Sequence, residues 1–254
     1  MNEERVFLEK RFRELAAQAE RRGSCTYTPF LTEAEQAVLA GLARSLPVPF
    51  ALNGGAETCE RRIARFGTPA EYEDGDVWPI VCLKVAAKSK RFMEELGHRD
   101  YLGAFMHLGA ERETIGDIFP GEDGAYVFCL ETAARLAEEL LLTVRRTSVT
   151  VERTEPPAEL LTPELTEETV RVTNERADAV VAHVYALSRE KAQQLFREGL
   201  VFRNGAQLMN DSATLKDGDI LSVRGYGRFR FAGVTGLTKK GKKTLKIERY
   251  GAKK

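Results

Sequence analysis

No stretch of this chain approaches the run of about 18 apolar residues that a membrane-spanning helix requires, so no membrane partner is expected. The opening Met1-Asn-Glu-Glu-Arg lacks the apolar core of a secretory signal, and a cytoplasmic location is expected. Cysteine is sparse. Cys25, Cys59, Cys82 and Cys129 are scattered without a Cys-x-x-Cys pair, which argues against a disulfide framework and fits a reducing compartment. The three histidines, His98, His107 and His183, lack the i, i+4 spacing and the cysteine partners of a zinc site.

Catalytic signatures are missing too. There is no Gly-x-Ser-x-Gly, no His-Glu-x-x-His and no Cys–His pattern. Gly236-Leu-Thr-Lys-Lys-Gly-Lys-Lys243 imitates a phosphate loop, but Lys243 stands where a magnesium-holding Ser or Thr is needed and a strand follows instead of a helix. Gly225-Tyr-Gly-Arg-Phe-Arg230 starts like a dinucleotide loop and lacks its third glycine. The expectation is a non-enzymatic protein with no cofactor, no metal and no small-molecule substrate.

What is present is charge, unevenly spread. The 38 basic and 38 acidic residues cancel. Yet from Ser222 to Lys254 eleven basic residues face Glu248 alone, a balance of +10, while Thr150 to Glu175 holds seven glutamates and two arginines, a balance of −5. A local basic stripe is the electrostatic footprint of a polyanion ligand. The alternative is a solvated tail, against which Tyr226, Phe229, Phe231, Leu245, Ile247 and Tyr250 alternate with the charges as in a strand.

Hydrophobic spacing gives a helix over residues 2–22 with Phe7, Leu8, Phe12, Leu15 and Ala16 as its stripe. Thr32 with Glu35 is a capping-box signature for a second helix reaching about Ser45, and Arg61–Phe66 reads as a strand. From Trp78 on, the order is strand (79–86), helix (100–108, with Leu102, Phe105 and Met106 on one side), strands (114–119 and 125–130), helix (131–142) and strand (142–152). That β-α-β-β-α-β order is a ferredoxin-like split βαβ. Glu155–Pro163, with three prolines and several acids, reads as a linker. Helices follow at 175–187 and 189–198, the second capped by Ser188 and ended by Gly199. Then come an Asn204-Gly205 hairpin, whose two turn positions need positive φ, and strands at 220–225 and 228–234. The expected fold is α+β, with an N-terminal α/β region (1–75), a ferredoxin-like domain (76–154), an acidic linker (155–170) and a C-terminal RNA-binding domain with a basic extension (171–254).

Arg189, Gln193 and Arg197 recur at i, i+4, i+8 and form one polar stripe beside the Ala192–Leu195–Phe196 core face, with Lys191 on the other flank. Arginine's planar fork matches phosphate oxygens, so this stripe suits an RNA backbone. Arg203 and Asn204 at the hairpin tip are candidates for a neighbouring groove, and Arg224, Arg228 and Arg230 for a further basic edge. Tyr226 and Phe229 offer a stacking surface unless Phe229 and Phe231 belong to the core. Asp178 reads as an orienting or capping carboxylate. In the middle region His98 and Arg99 are candidate RNA contacts, the alternative being that Asp100 caps a helix and His98 packs.

Two helices, a hairpin and a Gly-Asp turn resemble the S-four RNA-binding domain, on Arg176-Ala-Asp178, Ser188-Arg189-x-Lys191-Ala192, Arg197-x-Gly199-x-Val201, Asn204-Gly205 and Asp217-Gly-Asp-x-x-x-Val223. Ala177 departs from the family's usual Leu. The extension Val223-Arg-Gly-Tyr-Gly-Arg-Phe-Arg230, with His98-Arg-Asp-Tyr-Leu-Gly103 and Leu108-Gly-Ala-Glu-Arg-Glu-Thr-Ile-Gly-Asp117, is similar to the YlmH family of bacterial proteins, over about residues 30–254. The resemblance implies ribosomal RNA, transfer RNA and the large ribosomal subunit as partners, rescue of stalled subunits carrying unfinished peptide, and a gene-neighbourhood link to cell division. An RNA-modifying enzyme with its active site in the first 150 residues, using Asp100 or Asp117, and a protein adaptor are the alternatives.

Overall fold

The structure, a computed structural model, describes residues 3–69, 77–158, 165–238 and 241–250. The chain divides into two compact units, Met1–Thr162 and Pro163–Lys254. The class is α+β.

In the first unit, helix α1 (Glu3–Arg22) packs Phe12, Ala16 and Ala19 against Leu39 and Leu42 of α2 (Glu33–Leu42) and Ala64 and Phe66 of β3 (Arg62–Phe66). Phe7 is 68% exposed and leaves the expected stripe. At roughly 100° per residue it lies about 140° around the helix from Phe12. The capping box of α2 is formed: Glu35 N–H donates to Thr32 Oγ1 at 3.3 Å and Thr32 N–H to Glu35 Oε2 at 2.7 Å. Strand β1 (Thr26–Leu31) pairs with β3, which pairs with β2 (Phe50–Asn53).

The second sheet of this unit contains β4 (Val81–Ala87), β5 (Ile115–Gly121), β6 (Gly124–Cys129), β7 (Thr143–Val144) and β8 (Thr147–Arg153), in the order β5-β6-β4-β8-β7, all antiparallel. The stretch 142–152, expected as one strand, is a hairpin, because Arg145 takes a φ of 52° and turns the chain back. Gly124, at φ 151°, closes the β5–β6 hairpin so tightly on β4 that a Cβ would collide with the Val85 carbonyl.

Strand residues alternate between two buried faces. Leu83, Val85, Ile115 and Val127 face α3 (His98–His107) and α4 (Glu131–Leu140), whose Tyr101, Phe105, Ala133 and Ala137 complete that core. Met106 is 43% exposed, contrary to its expected place on the apolar side, and Tyr101 is buried there instead. On the other face Cys82 and Phe128 pack with Phe30, Ala56, Cys59 and Ile63. The regions expected as 1–75 and 76–154 therefore share an apolar layer and fold as one unit.

In the second unit, β9 (Leu165–Val172), β10 (Val201–Arg203), β11 (Ala206–Gln207), β12 (Ile220–Val223), β13 (Gly227–Leu237) and β14 (Lys243–Tyr250) form a sheet in the order β11-β10-β12-β13-β14-β9. Helices α5 (Ala177–Val184) and α6 (Arg189–Arg197) cover one face, with Val180, Val181, Leu195 and Phe196 meeting Phe229, Phe231, Leu245 and Ile247. The linker expected over 155–170 is corrected here. Residues 159–164 lie outside the described residues, but from Leu165 the chain is an edge strand paired with β14 over its whole length. Its glutamates meet basic partners on β14, Glu167 with Lys246 and Glu168 with Arg249, which is why an acidic segment sits in a sheet.

Candidate nucleic-acid interface

Asp178 organises the second unit. It lies in the first turn of α5, and Asp178 and Ala177 N–H donate to Asp211 and Ala213 carbonyls at 2.9 Å, fixing the helix start to the loop that later leads into β12. Its carboxylate is fully buried. Arg176 donates to it twice at 3.1 Å, Ala179 N–H at 2.8 Å, Arg189 Nε at 3.2 Å and Gln193 Nε2 at 3.1 Å. Burial alone would raise its pKa, but the hydrogen bonds from Arg176, Gln193 and Arg189 outweigh it and hold the carboxyl below its usual range. An ionised carboxylate therefore sits behind two guanidiniums. Arg189 remains 56% exposed at its side chain. The negative charge is hidden and the positive charge faces solvent in a fixed orientation, which is what phosphate recognition requires.

The expected helical stripe is thus brought together in part. Arg176, Arg189 and Gln193 converge on Asp178. Ser188 caps α6, accepting from Lys191 N–H at 3.1 Å, and Lys191 Nζ donates to Gln194 at 3.2 Å on the other flank. Arg197 is exposed at the end of α6, outside the Asp178 cluster.

The hairpin tip is different. Asn204 and Gly205 have φ values of 49° and 80°, as the turn requires. However, Asn204 Nδ2 donates to buried Asp219 at 3.0 Å while its Oδ1 accepts from Ile220 N–H at 2.9 Å. Arg203 is 2.8 Å from the same Asp219. Both side chains are engaged by Asp219, 5% exposed, which needs donors, while Asn204 itself stays exposed. Their first role in the fold is to hold the hairpin on Asp219.

Arg228 and Arg230 alternate with buried Phe229 and Phe231, so they point to the sheet face away from the helices. The alternative that these two phenylalanines are core holds, and of the two proposed stacking residues only Tyr226, 38% exposed, is left. On the outer face Arg224 lies over Phe202 at 4.7 Å and Arg228 over Tyr250 at 4.9 Å, and Arg230 bonds Glu248 and Tyr250. Phe202 and Tyr250 went unrecognised as ring partners. Their signal was the register that sets Phe202 opposite Ser222 and Ser222 opposite Arg228. The basic stripe is also less naked than its sequence: Lys243 pairs with Glu175, Lys246 with Glu167 and Arg249 with Glu168. Lys239, Lys240, Lys253 and Lys254 lie outside the described residues.

In the first unit Asp100 caps α3 by accepting from Gly97 N–H at 2.9 Å. His98 and Arg99 occupy its exposed first turn. Burial, then Arg112 and Arg99, push the His98 pKa down. Asp117 accepts Arg61 N–H at 2.8 Å, and burial raises its pKa.

Two α+β units, one with an exposed Arg189 and a partly covered Arg176 anchored on a buried carboxylate, define the class. Residues 78–157 match the family described as "Putative RNA-binding domain in YlmH". The chain is 29% identical over 235 residues to the ribosome-associated protein quality control protein P2 of Bacillus subtilis (strain 168), covering 87% of this chain and 86% of that one. Its fold is similar to that of the cell division protein ylmH from Streptococcus pneumoniae, with a TM-score of 0.51 and 21% identity over 64% of this chain and 97% of the other. Over residues 78–157 the chain thus matches a domain family described from YlmH, and its similarity to the Bacillus subtilis protein runs along most of its length.

Proposed function

We propose that this protein is a non-enzymatic RNA-binding factor of the ribosome, which binds ribosomal and transfer RNA on the large subunit and acts in rescue of stalled subunits carrying peptidyl-tRNA. In this reading the β4–β8 sheet with α3 and α4 is an RNA-recognition-like, ferredoxin-like domain and the second unit is an S-four-type domain. The observation that carries it is the buried Asp178 carboxylate holding Arg176 and Arg189 toward solvent. Structured RNA is read largely through phosphates, sugars and shape, for which fixed guanidiniums are suited. The name of the Bacillus subtilis relative and the description of the matched family support ribosome association and RNA binding respectively. The factor would then work in the cytoplasm.

Co-sedimentation with purified large subunits tests this. Arg189→Ala leaves Asp178 four of its hydrogen bonds, so the fold should persist while sedimentation with subunits is lost. Unchanged sedimentation would remove the α5–α6 surface from the account.

A further inference from the structure

Arg61 precedes β3, and Arg112 opens a short 3-10 turn, Arg112–Thr114, before β5. Arg61 Nε donates to the Ile115 carbonyl at 3.1 Å and its Nη2 to the Phe30 carbonyl at 2.8 Å. Arg112 Nη1 donates to the same Ile115 carbonyl at 2.6 Å. Two guanidiniums, both half-buried, thus converge on one neutral oxygen. Among the described residues neither guanidinium forms an ion pair with a carboxylate within 4 Å; Asp117 accepts from the Arg61 backbone N–H and attracts both guanidiniums from farther off. Burial first, and then Arg112, push the Arg61 pKa down against the pull of Asp117, Glu35 and Glu113, and burial does the same to Arg112 against Asp117.

A pocket of about 460 Å³ opens over this pair, with Phe30 and Leu31 in its wall and Arg11 lining it as a third guanidinium. Three carboxylates also line it. Glu35 is engaged by the cap of α2, and Glu111 and Glu113 are exposed. Half-buried arginines are normally paired, because an unpaired charge away from water is costly. Two that converge on one carbonyl at the wall of an open pocket, each with unused N–H donors and with Asp117 acting on them only at longer range, form an arrangement that an oxyanion can complete.

We propose that the first unit carries a phosphate site in this pocket, where Arg61 and Arg112 bind phosphate oxygens beside Arg11, and that the phosphate belongs to an RNA strand. The site itself stands on the geometry of the pocket, and the assignment of the phosphate to RNA rests on the RNA-binding reading above. Arg61 also ties β1 and β5 together through their carbonyls, whereas Arg112 uses one donor for a local bond, so Arg112 is the residue to vary.

The test uses the full chain, equilibrium dialysis with radiolabelled inorganic phosphate, and fluorescence anisotropy with a labelled hairpin RNA at several salt concentrations. Circular dichroism confirms that Arg112→Gln and Arg112→Lys remain folded. Arg112→Gln is expected to remove one phosphate-binding equivalent, weaken RNA binding several-fold and shrink the log–log salt slope by about 1, with Arg112→Lys recovering part of each. Unaltered phosphate binding in Arg112→Gln overturns the site. Lost phosphate binding with unchanged RNA affinity and slope overturns the RNA assignment and points to a free phosphorylated small molecule. Arg189→Ala separates this from the α5–α6 surface: it should weaken RNA binding while leaving the Arg112-dependent phosphate equivalent in place. If Arg189→Ala leaves RNA binding intact and Arg112→Gln does not, the second-unit reading fails and this one stands.

Discussion

The carboxylate of Asp178, with no exposed surface, accepts a hydrogen bond from Arg189 Nε at 3.2 Å across the gap between two helices. An acid that never meets solvent thereby sets the direction of a cation that does. Asp178→Asn should cost about 3 kcal/mol, the scale expected when one partner of a buried ion network is removed. It should also weaken RNA binding although Asp178 does not reach the surface. Urea melts and anisotropy titrations on the same variant check both. Wild-type stability with wild-type binding would show that Arg189 needs no anchor.

The same carboxylate makes a pH prediction. Its folded-state pKa lies below the ordinary value of about 3.9, so its contribution to stability is present above that value and is lost as pH falls through the lower, folded pKa. Wild type should therefore lose stability on acidification more steeply than Asp178→Asn below about pH 4, the two curves approaching one another at the acid end. Parallel curves from pH 6 to 2 would contradict the depressed pKa.

Asn204 should behave as a structural residue. Asn204→Ala gives up two hydrogen bonds and places alanine at a φ of 49°, so it should destabilise by about 1–3 kcal/mol. RNA affinity, measured where the variant is folded, should change less than twofold. A tenfold loss of affinity without loss of stability would restore the hairpin tip as an RNA contact.

These outcomes mark how far the sequence was legible. Features settled by neighbours a few residues apart could be read directly: the Thr32–Glu35 cap, the Asn204-Gly205 turn and the Ser188 cap. Features settled by distant partners could not. Leu165–Val172 becomes a strand because β14, more than 70 residues later, supplies its ladder and the cations for Glu167 and Glu168. Arg203 and Asn204 bond Asp219, across the sheet, because that carboxylate is buried and needs donors. The positive φ of Arg145, which splits one expected strand into a hairpin, has no glycine to announce it. Convergence of Arg61 and Arg112 on Ile115 likewise joins segments about 50 residues apart, and spacing alone gives no hint of it.

If binding uses about six phosphates, RNA affinity should fall with salt at a log–log slope of roughly −4 to −5. Fluorescence anisotropy between low and physiological salt reads this slope. A flat response would mean that the guanidiniums do not meet phosphates.

The most direct measurement is cross-linking of RNA to the protein in cells followed by sequencing, with wild type beside Arg189→Ala. The account predicts reads concentrated on large-subunit ribosomal RNA and transfer RNA in wild type, and their loss in the variant. Wild-type reads at background, or an identical profile from Arg189→Ala, would contradict it.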